Sequence, residues 1–232
     1  METLHDWNLT PTQAIALQKE LAQRVIREDR FGEVRSIAGV DMAINEQNEM
    51  ARAAVVLLSF PELEIQERHV FEEPIRMEYV PGLLSFREIP CILGAFAQLK
   101  QKPDLVMVDG QGIAHPRRLG IASHLGLWID LPTIGCAKSI LVGKHEELSE
   151  EVGSWEPLKK YGEVIGAAVR TRSHVKPMII SLGHRISLES SIHYVLACGK
   201  GYRLPEPTRQ ADKLSKLNDW REPNEDQQPT LF

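Results

Sequence analysis

Three carboxylates are the residues of this chain best placed to do chemistry. Asp41 closes the apolar run Ile37-Ala38-Gly39-Val40, Asp109 closes Leu105-Val106-Met107-Val108, and Glu88 follows Ser85-Phe86-Arg87. Two carboxylates about 4 Å apart repel by roughly 4 kcal/mol at an effective dielectric near 20. A fold that gathered all three would want a divalent cation, and all-oxygen ligation favours Mg²⁺, with Mn²⁺ as a substitute. Each acid also has an ordinary reading. Asp-Gly is a turn signal, and Ser85-x-x-Glu88 fits a capping box. Pro90 prefers the first helical position, which would instead leave Glu88 ahead of a helix and free to project elsewhere.

Other groups could serve the same chemistry. Lys138 follows Ile134-Gly135-Cys136-Ala137, where an ammonium could offset phosphate charge or orient a water; a solvated lysine has the same pattern. His115-Pro116-Arg117-Arg118 is a compact basic patch near Asp109, open to reading as a phosphate contact or as a solvated loop. Tyr79 stands beside Val80-Pro81-Gly82, a setting that suits neither a helix interior nor a central strand. Exposed, it could enter a base stack, where aromatic stacking is worth about 1–3 kcal/mol per base. That matches the few kcal/mol needed to extrude a mispaired base. Folded back, it would be a core tyrosine.

The elements that must position these groups are legible in outline. Ile15, Leu17, Leu21, Val25 and Ile26, with Thr10 as N-cap and Pro11 at N1, predict an amphipathic helix over 11–30. Strand-like runs at 34–44, 53–60 and 65–71 are short, adjacent and separated by polar turns, as in an antiparallel meander. A helix over about 90–100 leads to a buried strand at 105–108 of parallel type. A helix at 119–127, a strand at 133–137, runs at 164–171 and 178–181, and a helix at 188–198 follow. The order predicts an α/β fold, a mixed sheet with helices on both faces.

Bulk properties narrow the field. A chain of 232 residues with 43% hydrophobic content suits one domain over 1–220, with a polar, proline-containing tail at 221–232. No apolar stretch of about eighteen residues exists, and the N-terminus lacks a signal-peptide pattern, so no membrane role and a cytoplasmic location are expected. Cys91, Cys136 and Cys198 lack metal-ligand spacing and read as reduced core residues. The net charge of −5 does not announce nucleic-acid binding, yet acids dedicated to cations depress the total without opposing phosphate.

As a set these residues resemble the endonuclease V family, whose members nick strands containing deaminated adenine. The matching segments are Ala38-Gly39-Val40-Asp41, Tyr79-Val80-Pro81-Gly82 through Glu88, and Val108-Asp109-Gly110-Gln111-Gly112 through His115-Pro116-Arg117. Gly120-Ile121-Ala122-Ser123-His124-Leu125-Gly126 and Pro205-Glu206-Pro207-Thr208-Arg209 complete the match. The resemblance implies an RNase H-like fold with Asp41, Glu88 and Asp109 as Mg²⁺ ligands, completed by Asp212. It implies Lys138 at the scissile phosphate and His115 close by. Tyr79 with Pro81 would form a wedge, and Gly82, Leu84, Gly110, Gly112, Gly120 and Ile121 would contact the flipped hypoxanthine. Read by itself, Asp212 is a first-turn acid favoured by a helix dipole. One departure stands out: Glu78 occupies the position before the tyrosine where the family usually has proline.

The expected activity is hydrolysis of the second phosphodiester 3′ to a deoxyinosine. The alternatives are the same fold acting on inosine in RNA or single-stranded DNA, and a non-catalytic lesion reader. Gln228-Pro229-Thr230-Leu231-Phe232 further resembles the short peptide by which bacterial proteins dock on the replication sliding clamp.

Overall fold

Thr10 caps the first helix in the expected way: its hydroxyl accepts from the Gln13 N–H, while the Gln13 side chain accepts from the Thr10 N–H. In the computed structural model, which describes residues 4–217, this helix, α1, runs Pro11–Ala22. It ends eight residues before the predicted limit. Past it the chain is captured elsewhere: the Ile26 N–H donates to His184 Nδ1, and the Ile26 carbonyl accepts from the Arg185 N–H.

The predicted meander forms from β1 (Ser36–Asn45), β2 (Met50–Ser59) and β3 (Ile65–Pro74), each antiparallel to the next. After α2 (Leu84–Phe96), strand β4 (Leu105–Val108) pairs parallel with β1. Helix α3 (Ile121–Ile129) returns the chain so that β5 (Thr133–Ala137) lies parallel to β4. The antiparallel strands β6 (Trp155–Lys160), β7 (Glu163–Val169) and β8 (Met178–His184) complete an eight-stranded sheet of order β3-β2-β1-β4-β5-β8-β7-β6. Helices α4 (Leu188–Ala197) and α5 (Glu206–Lys216) follow.

Side chains alternate across the strands, and the two faces carry two cores. Ala38, Val40, Val55, Leu57, Val106 and Val108 pack against α2 and α3 through Ile89, Ile92, Ile121 and Leu125. Ile37, Val56, Leu58, Leu105, Met107 and Ile134 face α4 and α5 through Ile192, Val195 and Ala211. This is the mixed sheet with helices on both faces that the element order predicted, and the RNase H-like fold that the resemblance implied. The three cysteines are free and buried.

Two expectations fail at α2. The helix begins at Leu84, six residues before Pro90, which lies inside it. Glu88 is therefore neither a capping-box partner nor a residue ahead of the helix. The N-cap is Leu83, without a side-chain cap. Packing decides the outcome: Leu83 and Phe86 bury against Ala14, Trp7, Leu17 and Val80, so the earlier turn winds despite the proline. Strand β6 was not predicted, and helix α5 was implied only by reading Asp212 as a first-turn acid; the helix starts at Glu206, so Asp212 lies in its second turn. The clamp-like segment Gln228 to Phe232 lies outside the described residues.

Candidate active site

Val40 is the partner of Val108 across the parallel β1–β4 pair. The next residue on each strand is an aspartate, so Asp41 and Asp109 emerge side by side on the face covered by α5. Gly39, two residues earlier on that face, is what lets the helix come so close: a Cβ there would overlap the Pro207 carbonyl. Helix α5 thereby delivers Asp212, and one oxygen from each of Asp41, Asp109 and Asp212 lies within 4.8 Å of the others. Ser215, one turn further, donates to Asp41 Oδ2 at 2.5 Å. From the end of β5, Lys138 Nζ reaches Asp109 Oδ2 at 2.5 Å and Asp212 Oδ1 at 2.8 Å.

The electrostatics are those of crowded acids. Burial pushes the Asp41 carboxyl up to about 7; the Ser215 bond opposes this and the charge of Asp109 adds to it. Glu88 comes from α2, on the opposite face. Burial again, then the charge of Asp41, push its carboxyl up to about 8, although Arg87 works the other way and Asp109 adds a little. Burial disfavours the Lys138 ammonium, but its bonds to Asp109 and Asp212 outweigh this and raise its pKa. Burial would likewise raise Asp212, and the bonds from Lys138 and Lys216 override it. One ammonium thus stands among carboxyls that resist ionising together. An all-oxygen donor set of this kind fits a hard divalent cation such as Mg²⁺ or Mn²⁺.

Beside the cluster lies a surface built mainly of backbone. Gly110 has φ +152°, and a Cβ there would run into Ile121. The Gly112 N–H donates to Ser181 Oγ at 2.8 Å, and the Gly120 N–H to the Gly112 carbonyl at 2.9 Å. Helix α3 starts from Gly120 with no side-chain cap, and Ile121 is its first residue. Gly110, Gly112, Gly120 and Ile121 therefore meet in one place.

The Tyr79 loop is a second place. Its flanking residues Met77 and Val80 pack against the α1–α2 cluster, whereas Tyr79 is 61% exposed; Glu78 and Pro81 are exposed as well. Gly82 takes φ +80°, and its carbonyl accepts from Gln18 Nε2 at 3.1 Å and Arg117 Nη2 at 2.7 Å. Leu84, partly exposed, opens α2 next to it.

His115 is buried beneath this loop, with its Nε2 near Gly82. Burial, and then the Arg117 charge, hold its pKa down at about 4, so it is neutral at pH 7. The basic patch is thus neither a free phosphate contact nor a solvated loop. Arg117 is engaged with Gly82 and Gln18, and Arg118 with Glu163.

Sequence reasoning missed the residues that support these groups. Ser215 gives no signal of its own. Gln18 could have been noticed as a polar residue on the buried side of α1 with Ala14 and Leu21; its amide also donates to the Leu119 carbonyl at 2.8 Å. Arg203 Nη2 donates to the Lys138 carbonyl and, at 3.0 Å, to that of Pro177. Buried His124 is hydrogen-bonded to Ser85 at 3.0 Å, tying the first turn of α2 to α3.

Comparison with known proteins agrees with this geometry. The endonuclease V family model matches residues 19–213. An endonuclease V from a Nostoc species is 55% identical over 212 residues, covering 91% of this chain and 96% of its own. The crystal structure of the Streptomyces avermitilis endonuclease V superposes with a TM-score of 0.86 at 40% identity, over 90% of this chain and 92% of that one. Ciona intestinalis endonuclease V, solved with DNA containing an inosine followed by a ribo-adenosine, superposes with a TM-score of 0.78 at 30% identity, over 89% and 97% of the two chains. A family match over most of the chain, joined to an acidic cluster at the strand ends, means that this chain belongs to the endonuclease V family.

Proposed function

We propose that this chain flips deoxyinosine out of DNA and hydrolyses the second phosphodiester on its 3′ side in a Mg²⁺-dependent reaction, leaving a 3′-hydroxyl and a 5′-phosphate. The observation that carries the proposal is the convergence of Asp41, Asp109, Asp212 and Lys138 at the strand ends, beside a glycine-rich backbone surface and an exposed tyrosine. In this reading Asp41, Glu88, Asp109 and Asp212 hold Mg²⁺, which when bound activates a water as nucleophile and offsets phosphate charge. Lys138 donates to a phosphate oxygen and stabilises the charge that grows on it.

Recognition falls to the neighbouring loops. Tyr79, stiffened by Pro81, fills the gap left by the extruded base. Hypoxanthine presents a carbonyl and a ring N–H where adenine presents an amino group and a bare nitrogen. Backbone groups at Gly82, Gly110 and Ile121, with the Leu84 side chain alongside, pair with the first pattern, while Gly112 and Gly120, whose own backbone groups bond within the protein, close the wall behind the base. The second pattern leaves a polar group unpaired, which costs one to a few kcal/mol. His115, buried and held neutral, accepts from the Arg117 N–H at Nδ1 and turns Nε2 toward Gly82, so its part is to hold the wedge loop in place. Glu78 sets a carboxylate next to the wedge, which weakens its approach to phosphate.

A second reading is supported by the Ciona relative, whose bound strand carries a ribonucleotide after the inosine: the substrate is inosine-containing RNA. End-labelled duplex DNA with one deoxyinosine, and the matched RNA, are incubated with Mg²⁺ and either wild type or Asp109→Ala. A DNA nick at the second 3′ phosphodiester, absent in the variant, is the expected result. Faster cutting of RNA would transfer the proposal to RNA, and binding without any nick would make the chain a lesion reader.

A further inference from the structure

We propose that the tip of the β6–β7 hairpin, together with Lys144, is a second nucleic-acid contact that grips the phosphate backbone away from the cut. The hairpin closes with Lys160 paired to Glu163, leaving Tyr161 and Gly162 as a two-residue turn. Both have positive φ, 52° and 85°, the geometry in which Asn, Asp and Gly are favoured because a bulky Cβ crowds the backbone. Tyrosine is an unfavourable choice there, and no burial compensates, since Tyr161 is 98% exposed. The Lys160 ammonium lies 5.5 Å from the ring centroid. A backbone outlier carrying a large exposed ring, with no return in packing, points from strain to function.

The second observation is independent of the turn. Lys144 and Lys159 form an isolated antiparallel bridge and exchange both backbone hydrogen bonds, at 2.9 and 2.8 Å. Residues directly opposite in this way hold their Cβ atoms about 4.5–5.5 Å apart, where like charges repel. Both lysines are exposed. Among the described residues the lysines that make ion pairs are Lys138 and Lys216, so neither member of this pair is held by a carboxylate. Glu163, the acid nearest the tip in sequence, is taken up by Arg27 and Arg118. Two lysines on directly opposed backbone positions, neither in an ion pair, suit the anionic oxygens of a phosphodiester.

The position is right for the same substrate. Arg118, whose Nη2 contacts Glu163 at 2.7 Å, joins the hairpin to the His115 loop under the wedge, and Lys160 is close enough to His115 to help depress its pKa. Lys144 lies six residues beyond Lys138, hence at most about 20 Å from it. That is roughly six base-pair steps at 3.4 Å each. A nucleic acid lying across Tyr79 and Lys138 is long enough to extend to the hairpin, where its phosphates would meet Lys144 and Lys159 and, in a single strand, an unpaired base would meet Tyr161.

This inference rests on the reading that the substrate is nucleic acid, and the test separates the two. Full-length wild type, Lys144→Gln/Lys159→Gln and Tyr161→Asn are titrated with a deoxyinosine duplex of about 30 base pairs from roughly 50 to 200 mM salt. Nicking kinetics are read on the same preparations. Losing two phosphate contacts should reduce the slope of log affinity against log salt by about 1.8. Tyr161→Asn should melt no lower than wild type, because asparagine suits the turn, yet bind the single deoxyinosine strand of that duplex roughly 5- to 140-fold more weakly, the worth of one stacked base. In both variants KM rises and kcat holds. A lysine variant with an unchanged slope, or one that loses kcat with KM intact, would overturn the inference. If wild type binds but fails to nick inosine DNA while the slope still falls, the hairpin stands and the proposed reaction fails.

Discussion

Glu88 makes the metal-free protein sensitive to pH in a direction opposite to most proteins. Its carboxyl is pushed from an ordinary 4.5 up to about 8, first by burial and then by the charge of Asp41. A raised carboxyl contributes stability that is complete below pH 4.5 and is lost as pH rises through 8, because over that range the unfolded chain has released a proton that the folded chain still holds. The shift is about 3.5 units, and each unit is worth about 1.4 kcal/mol, so Glu88 alone sets roughly 5 kcal/mol against folding by pH 9. Asp41, raised to about 7, acts in the same direction; because the two acids repel each other, their effects overlap rather than add. Against a typical total stability of 5–15 kcal/mol this is large. Urea unfolding in EDTA across pH 5–9 should therefore show wild type steadily losing stability. Glu88→Gln should match it at pH 5 and exceed it at pH 9 by several kcal/mol, a difference of about 10–20 °C in Tm. Excess Mg²⁺ should flatten the wild-type curve. A flat curve for wild type in EDTA, or a Glu88→Gln protein no more stable than wild type at pH 9, would refute the reasoning.

Three further outcomes follow from named contacts. Lys138→Met removes the ammonium at 2.5 and 2.8 Å from Asp109 and Asp212; kcat should fall about 10²- to 10³-fold with little change in KM, read by single-turnover nicking. Tyr79→Ala should weaken binding to a paired deoxyinosine duplex by about 1–3 kcal/mol, and by less when the lesion is in single-stranded DNA, where no base need be extruded; anisotropy on the two substrates separates these. Gly39→Ala drives a methyl into the Pro207 carbonyl and should lift α5 from β1, costing about 1–3 kcal/mol by overpacking and displacing Asp212 and Ser215; Tm and nicking should fall together.

How much of this was legible in the sequence depended on whether a residue declared itself through its neighbours. Asp41 and Asp109 did, because an apolar run ending in an acid marks a strand end, and the parallel register then brings the two together. The β1–β3 meander was equally plain from its short adjacent runs and the polar turns between them. Helix α5 was not. Its buried face is made of Pro207, Thr208, Ala211 and Ser215, small residues chosen to approach β1 closely, so there is no apolar stripe to see. Asp212 was therefore named from resemblance, and Ser215 was not found at all. Pro90 misplaced the start of α2 because a local preference was weighed without the burial of Leu83 and Phe86, which a sequence does not show.

The chain's acidity is itself part of how it must engage a polyanion. Oxygens of Asp41, Asp109 and Asp212 lie within 4.8 Å of one another, worth at least about 3.5 kcal/mol of repulsion per ionised pair at an effective dielectric of 20. Without a cation Lys138 is held by Asp109 and Asp212, and its ammonium is released toward a phosphate only when a cation takes over their charge. A phosphate brought to about 4 Å from an uncompensated carboxylate would meet a further 4 kcal/mol or so. Divalent cation is thus needed for close approach of the strand as well as for its hydrolysis. In EDTA, affinity for a deoxyinosine duplex should drop on the order of 10²- to 10³-fold relative to Ca²⁺, whereas Asp41→Asn/Asp109→Asn, with two acids neutralised, should bind nearly as well in EDTA as in Ca²⁺. Equal wild-type affinity in both buffers would mean that the phosphate never comes near the cluster, and the site would then have to be sought elsewhere on the sheet.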